Sequence, residues 1–316
     1  MEEFPNIFTV TLNAAIDRVI EVKNFAPGAH CSGVTTQLAP GGKGINVSKV
    51  LDLCHVESTA LAFVGQQTQH VFTSMFESKL INDATLVLPG RNRENITILD
   101  SEQNFETHIR DEGIDIPGFA FRELLEHLRG LIQPGDIVAV SSSLPSGIDS
   151  KMFADLIDQL IEAEAKVCVD TSGEGLEAIK RKKLWLIKPN LQEFSELAGK
   201  SFESVEQMLK TARGLAQKYE NILLSAGPQG AYLINRQKIL HASCELPEDV
   251  HVNTVGCGDA LLAGFIAANS GGALDEQALS YATAIATASA ADKHTASFDI
   301  DICESLFPKV QVEQIS

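Results

Sequence analysis

Residues 253–265, NTVGCGDALLAGF, place a lone carboxylate, Asp259, directly after Gly256, Cys257 and Gly258 and at the start of an apolar helical run. Small residues in such a turn let backbone N–H groups converge on one point, and the helix N-terminus adds partial positive charge there. An anion hole beside a carboxylate base is what phosphoryl transfer to a hydroxyl requires. The base takes the proton while the N–H groups hold the charge building on the phosphoryl. The plain alternative is a glycine turn capped by Asp, which needs no chemistry. A dinucleotide G-x-G-x-x-G fingerprint fails, because Leu261 stands where its third glycine belongs.

A second stretch, residues 40–51 (PGGKGINVSKVL), carries the same kind of signal. Gly41, Gly42 and Gly44 let a ligand approach the backbone, Lys43 can pair with an anion, and Asn46 can hydrogen-bond hydroxyls. It is no Walker loop, since Gly44 rather than Ser or Thr follows Lys43. It reads equally as a glycine turn before a buried helix. In KPNLQE, Lys188 can meet a nucleotide phosphate, and Asn190 and Glu193 offer oxygen to Mg²⁺ or its waters. The alternative is a Pro-broken strand end with a first-turn Glu. Ser225, Gly227 and Gly230 of SAGPQG suit a phosphate-holding turn or a plain hairpin. Asp17 in TLNAAID can accept two hydrogen bonds from sugar hydroxyls, or simply close a turn. Arg93 in RNRENITI and Ser143 in SSSLP can meet a phosphate, or stand as a solvated arginine and a strand-end hydroxyl.

Positioning these residues requires a scaffold whose strand ends converge. Short apolar runs at residues 136–143, 165–172, 184–190 and 221–227 alternate with helical stretches at 151–164, after 190, toward Tyr219, from Asp259 and from Asp275. Phe153, Leu156, Ile157 and Leu160 share one helical face, and Ser204 with Gln207 makes a capping-box pattern. This alternation predicts βαβ units, an α/β protein with a mainly parallel sheet and helices on both faces. Sites in such sheets lie outside the carboxyl ends of the strands, where SSSLP, KPN and SAG all fall. The first third differs. FTVTLNAAIDRVIEV, residues 33–38 and NITILDSEQNFETHI alternate like half-exposed strands. They predict a small added sheet, with lid strands drawn from about residues 9–40 and 85–115 of a single domain spanning 1–316. A site lid and a dimer surface are both uses for it.

Composition narrows the classes. The formal net charge is −17, which argues against nucleic acid or an anionic membrane as partner. The six cysteines form no C-x-x-C pair and the eight histidines no H-x-x-x-H, which predicts reduced thiols and no zinc framework. The N-terminus is acidic and lacks a basic start with a long apolar core, so no secretory leader is expected. No run reaches membrane-spanning length, and a cytoplasmic protein is expected.

Taken in order, these motifs resemble the ribokinase-like sugar kinases, the PfkB carbohydrate kinase family, and within it the phosphohexose kinase branch. TLNAAID is similar to that branch's TLNPAID, PGGKGINVSKVL to its GGKGINVA, SSSLPSG to SGSLP, KPNLQE to KPN-x-x-E, and NTVGCGD to the GAGD signature. The resemblance covers nearly the whole chain. It implies a three-layer αβα domain with a β-sheet lid, often paired into a homodimer through the lids. It implies ATP and Mg²⁺ as cofactors. It implies Asp259 as base, Gly256, Cys257 and Gly258 as the anion hole, and Asp17, Gly41, Gly42, Lys43 and Asn46 around the sugar. Arg93 and Ser143 would meet a phosphate already on the substrate. Lys188, Asn190 and Glu193 would serve ATP and Mg²⁺, and Ser225, Gly227 and Gly230 would line the nucleotide site. The implied reaction is ATP-dependent phosphorylation of a ketohexose phosphate, fructose 1-phosphate to fructose 1,6-bisphosphate first among them. Tagatose 6-phosphate and fructose 6-phosphate are alternative acceptors.

Three departures stand out. Ser32 occupies the place of an arginine often found in that branch, AFVGQQTQ replaces a glycine-rich GFLGG stretch, and Cys257 replaces Ala. The first leaves open a kinase of an unphosphorylated sugar. A sugar-phosphate or nucleotide sensor on the same fold is the non-enzymatic alternative, against which the presence of Asp259, Lys188, Asn190 and Glu193 together argues.

Overall fold

The structure, a computed structural model, describes residues 4–100, 102–103, 105–246 and 252–315. In chain order the first part comprises β1 (Ile7–Thr11), β2 (Ala15–Val22), β3 (Gly33–Gly41), α1 (Lys43–Leu53), β4 (Ser58–Gly65), α2 (Gln69–Thr73), β5 (Ile81–Asp83), β6 (Leu86–Leu88), β7 (Arg93–Asp100) and β8 (Phe105–Arg110). The middle follows with α3 (Gly118–Leu131), β9 (Ile137–Ser141), α4 (Ser150–Glu162), β10 (Lys166–Asp170), α5 (Glu174–Ile179), β11 (Leu184–Ile187), α6 (Leu191–Ala198), α7 (Val205–Leu215) and β12 (Tyr219–Ser225). The last part holds β13 (Ala231–Ile234), β14 (Ile239–Ser243), α8 (Cys257–Ser270), α9 (Asp275–Ala290), α10 (Ile300–Leu306) and β15 (Gln311–Ile315).

The main sheet runs β15-β14-β13-β12-β11-β10-β9-β1-β4-β5, with β6 also on β4. From β12 through β5 every pairing is parallel; β13, β14 and β15 are added antiparallel. Strands β1, β9 and β11 are buried throughout, as parallel strands covered on both faces must be. Their residues divide by parity. Val138 and Val140 pack with α3, α4 and α6, while Ile137 and Ala139 pack with α1, α8 and α9. This is the αβα three-layer α/β architecture that the motif resemblance implies. Helix α8 is apolar all round because it is sandwiched between the sheet and α9; a Cβ on Gly264 would come within 2.9 Å of the Ala282 Cα.

The second sheet has four strands in the order β3-β2-β7-β8. The stretch FTVTLNAAIDRVIEV is not one lid strand. Its first half, β1, lies at the centre of the main sheet, and only β2 enters the lid. The break falls between Thr11 and Ala15, and β2 stays buried as far as Asp17 before half exposure begins at Arg18. Likewise β6, at residues 86–88, belongs with β4 rather than with the lid. Ser101 and Asn104 of the NITILDSEQNFETHI stretch lie outside the described residues. Helix α8 begins at Cys257, so Asp259 sits inside its first turn rather than capping it. At α7 the Ser204 hydroxyl accepts from Gln207 N, but the Gln207 side chain turns to Glu203 N, so the capping box is incomplete.

Candidate active site

The carboxyl ends of β1, β9, β10, β11 and β12 open toward the start of α8 and the root of the lid. Asp259 is buried there, 7% exposed, and its Oδ2 accepts from Asn46 Nδ2 at 2.8 Å. That bond joins the two glycine-rich motifs across 213 residues of chain. Gly256 caps α8 at φ 83°, a left-handed conformation suited to glycine, and leaves the first-turn N–H groups free for an anion. A Cβ on Gly258 would stand 3.1 Å from Lys188 Nζ, so that ammonium lies against the same turn.

The charges are held by a residue that motif reading missed. Asp170, at the end of β10 and 1% exposed, takes Lys43 Nζ on Oδ1 at 2.9 Å and Lys188 Nζ on Oδ2 at 3.2 Å. Burial would raise the Asp170 pKa, but the Lys188 and Lys43 ammoniums outweigh it and hold the carboxyl below the usual range. Burial, then the neighbouring Asp170 carboxylate, push Asp259 up to about 6, against the pull of Lys43, Asn46 and Lys188. Burial works against the charge on Lys43, yet Asp170, Asp259 and Glu193 keep its pKa above the ordinary range. Burial and then Asp259 push the Cys257 thiol up to about 11, so it stays a thiol; its Sγ donates to Asn253 O at 3.1 Å.

On the lid side, Asp17 on β2 accepts from Asn95 Nδ2 at 2.8 Å. A Cβ on Gly41 would collide with the Asp17 carboxylate, so Gly41 makes room for Asp17. Gly42, at φ 111°, caps α1 against the end of β1. Arg93 donates to Asn13 O at 3.2 Å, and Asn13 Nδ2 donates to Ser143 Oγ at 3.2 Å. Arg93 and Ser143 are thus brought together, as their shared expected role requires. Arg110 is a further cation beside them: burial first, then this guanidinium, lower the Arg93 pKa, while Asp17 raises it. Asp17, Asn95 and Arg110 form one cross-strand row, so they share a lid face.

Lys43 is not directed at Asp17. It turns toward Asp170 and lies 4.0 Å from Glu193. Asn190 and Glu193 form a complete capping box on α6, each side chain accepting from the other's N–H at 2.9 Å. Glu193 Oε1 remains on the Lys43 side. Ser225 bridges to Asn190, and a Cβ on Gly227 would meet no atom within 4 Å, leaving open space beside that turn. Gly230 has a steric duty of its own, since a Cβ there would strike the Ala242 carbonyl. Sequence reading missed Asp170, Asn13, Asn95 and Arg110. Only Asp170 carried a signal, a carboxylate at the carboxyl end of the strand KVCVD, directly after its apolar run.

Buried polar atoms without a partner among the described residues include Asn46 Oδ1, Arg93 Nε and Asn95 Oδ1. Buried groups of this kind are normally satisfied, so these three atoms have hydrogen-bonding capacity left for a ligand. A buried carboxylate, helix-terminal N–H groups and two ammoniums are the kinds of group that phosphoryl transfer to an alcohol uses. The family profile described as pfkB family carbohydrate kinase matches residues 9–302, and the chain belongs to that family. It is 32% identical over 311 residues to the 1-phosphofructokinase of Haemophilus influenzae, covering 98% of this chain and 99% of that one. It is 28% identical to the tagatose-6-phosphate kinase of Staphylococcus epidermidis, covering 98% and 100%. Phosphofructokinase-2 from Escherichia coli, solved in complex with potassium, superposes with a TM-score of 0.90 at 23% identity over 96% of this chain and 98% of that one. That enzyme has also been solved in a tetrameric inhibited form, with a TM-score of 0.88.

Proposed function

We propose that this carbohydrate kinase transfers the γ-phosphoryl of ATP to a ketohexose phosphate, with fructose 1-phosphate becoming fructose 1,6-bisphosphate. The observation that carries the reading is Asp259: a buried carboxylate raised to about 6, oriented by Asn46, at the N-terminus of a helix. Asn46 occupies Oδ2, so Oδ1 is the oxygen free to take the sugar hydroxyl proton. The N–H groups of Cys257 and Gly258, with Lys188 against the turn, hold the charge of the transferring phosphoryl. Asp17 and Asn95 orient sugar hydroxyls. Arg93, Arg110 and Ser143 meet the phosphate already on the sugar; paired guanidiniums favour a phosphorylated acceptor despite Ser32.

ATP lies along the turn at Ser225 and Gly227. The oxygens of Asn190 and Glu193 fit Mg²⁺ through its waters, since that ion keeps much of its hydration. When bound, it neutralises phosphate charge. A homodimer through the lid accompanies this reading. Leu38, Arg18, Ile96 and Ile109 form a cross-strand row one residue out of step with Asp17, Asn95 and Arg110, so they face away from the site. Leu38 and Ile109 are 47% and 50% exposed. No helix of the described residues is long and apolar enough to cross a membrane.

The test is ADP release with Mg·ATP against fructose 1-phosphate, fructose 6-phosphate, tagatose 6-phosphate, fructose, ribose and adenosine. A clear preference for fructose 1-phosphate supports the reading. Preference for another phosphohexose moves it to that acceptor, and turnover with free sugars alone overturns the phosphate site.

A further inference from the structure

Lys49 lies on α1, one turn beyond Asn46, and has no part in the chemistry above. Its side chain is half-buried, and Nζ donates to Pro40 O at 3.3 Å and Thr295 O at 3.2 Å. The acceptors belong to separate halves of the site. Pro40 stands at the root of lid strand β3, opposite Ile16 and next to the Gly41 that seats Asp17. Thr295 lies in the loop between α9 and α10, packed on the turn that starts α8. A Cβ on Gly256 would come within 2.9 Å of Ala296 N and 3.1 Å of Thr295 Cγ2. Ala296 itself is buried at φ 52°, a left-handed conformation that a residue with a Cβ keeps only when its surroundings over-determine it.

An apolar side chain would fill this place without desolvating an ammonium. Burial lowers the Lys49 pKa, and the Asp17 and Asp259 carboxylates, on the two sides of the site, act to keep it charged. The cation thus stands between the sugar-side carboxylate and the base while its donors fix both loops.

We propose that Lys49 is a positioning residue that ties the root of the lid to the anion-hole turn, holding the N–H groups at residues 256–258 in register with the sugar seated on Asp17. This rests on the phosphoryl-transfer reading of the site. Such a residue touches no reactant, so its loss should act on turnover rather than on affinity. A misplacement of about 1 Å in such donors is enough to cost about 10²-fold.

Two measurements on K49M and K49R test it. In steady-state assays with the preferred acceptor, K49M should lose about 10–100-fold in kcat with KM for sugar and Mg·ATP within about threefold, because ground-state contacts remain. K49R, whose guanidinium can donate to both carbonyls, should recover most of the loss. In amide hydrogen exchange without substrates, K49M should exchange faster at residues 41–42, 255–258 and 295–298 but not in β13 and β14. An unchanged kcat in K49M, a change confined to sugar KM, or no rescue in a folded K49R overturns the proposal. So does exchange in K49M that is unchanged or raised uniformly. The exchange arm needs no turnover, so it judges Lys49 even if the acceptor panel defeats the kinase reading.

Discussion

At the scale of single residues, the site depends on opposite treatment of two carboxylates. Asp170 is held ionised by two ammoniums, and Asp259 is pushed up to about 6 by burial and by Asp170 itself. General-base action needs Asp259 unprotonated, so kcat should rise through about pH 6 and level above it, as a pH–rate profile would record. D259N should fold and lose about 10²–10⁴ in kcat; wild-type turnover in that variant would defeat the mechanism. The same shift makes Asp259 a stability cost. Its proton affinity is higher folded than unfolded, so its favourable contribution is complete below the unfolded pKa and is lost as pH rises through about 6. D259N should therefore be more stable than wild type at pH 8, by about 3 kcal/mol at most, with the gain gone near pH 4 in thermal melts. D170N should move the pH–rate limb downward by removing a like charge. It should also destabilise the fold by about 3–5 kcal/mol, because Lys188 is left buried without its partner.

At the scale of elements, helix starts do much of the positioning. The capping box of α6 uses the same two side chains, Asn190 and Glu193, that suit the metal's waters. The two roles separate experimentally. N190A should lose about 1 kcal/mol of stability and bind Mg·ATP less well; N190S should recover the stability, since serine also caps, but not the KM. At α8 the constraint is steric. G256A forces a Cβ to within 2.9 Å of Ala296 N in a left-handed backbone, and should cost about 1–3 kcal/mol in urea unfolding along with most of kcat.

For the whole molecule, the lid presents two chemically different faces. Strand periodicity places Asp17, Asn95 and Arg110 toward the site and Leu38, Ile96 and Ile109 away from it. If the outer row joins two copies, the wild-type chain should sediment at twice its 34.1 kDa, and the double variant L38E/I109K should sediment as a monomer. A monomeric wild type at micromolar concentration would remove the lid as a dimer surface.

The local sequence determined a good deal about this protein. Glycine turns before apolar helices, the βαβ alternation and the strand-end positions of Lys188, Ser143 and Ser225 follow from short-range periodicity and turn chemistry, which neighbours in sequence carry. The expected grouping of Arg93 with Ser143 drew on the family resemblance, and the folded chain brings the two together through Asn13. What tertiary structure alone decided is partnership at long range. Lys43 turned to Asp170 rather than to Asp17, Gly230 proved to make room for Ala242, and β1 left the lid for the centre of the main sheet. The physical reason is common to all three. A side chain's partner, and the burial that sets its charge, depend on strands far apart in the chain being brought edge to edge, and no local window contains that information.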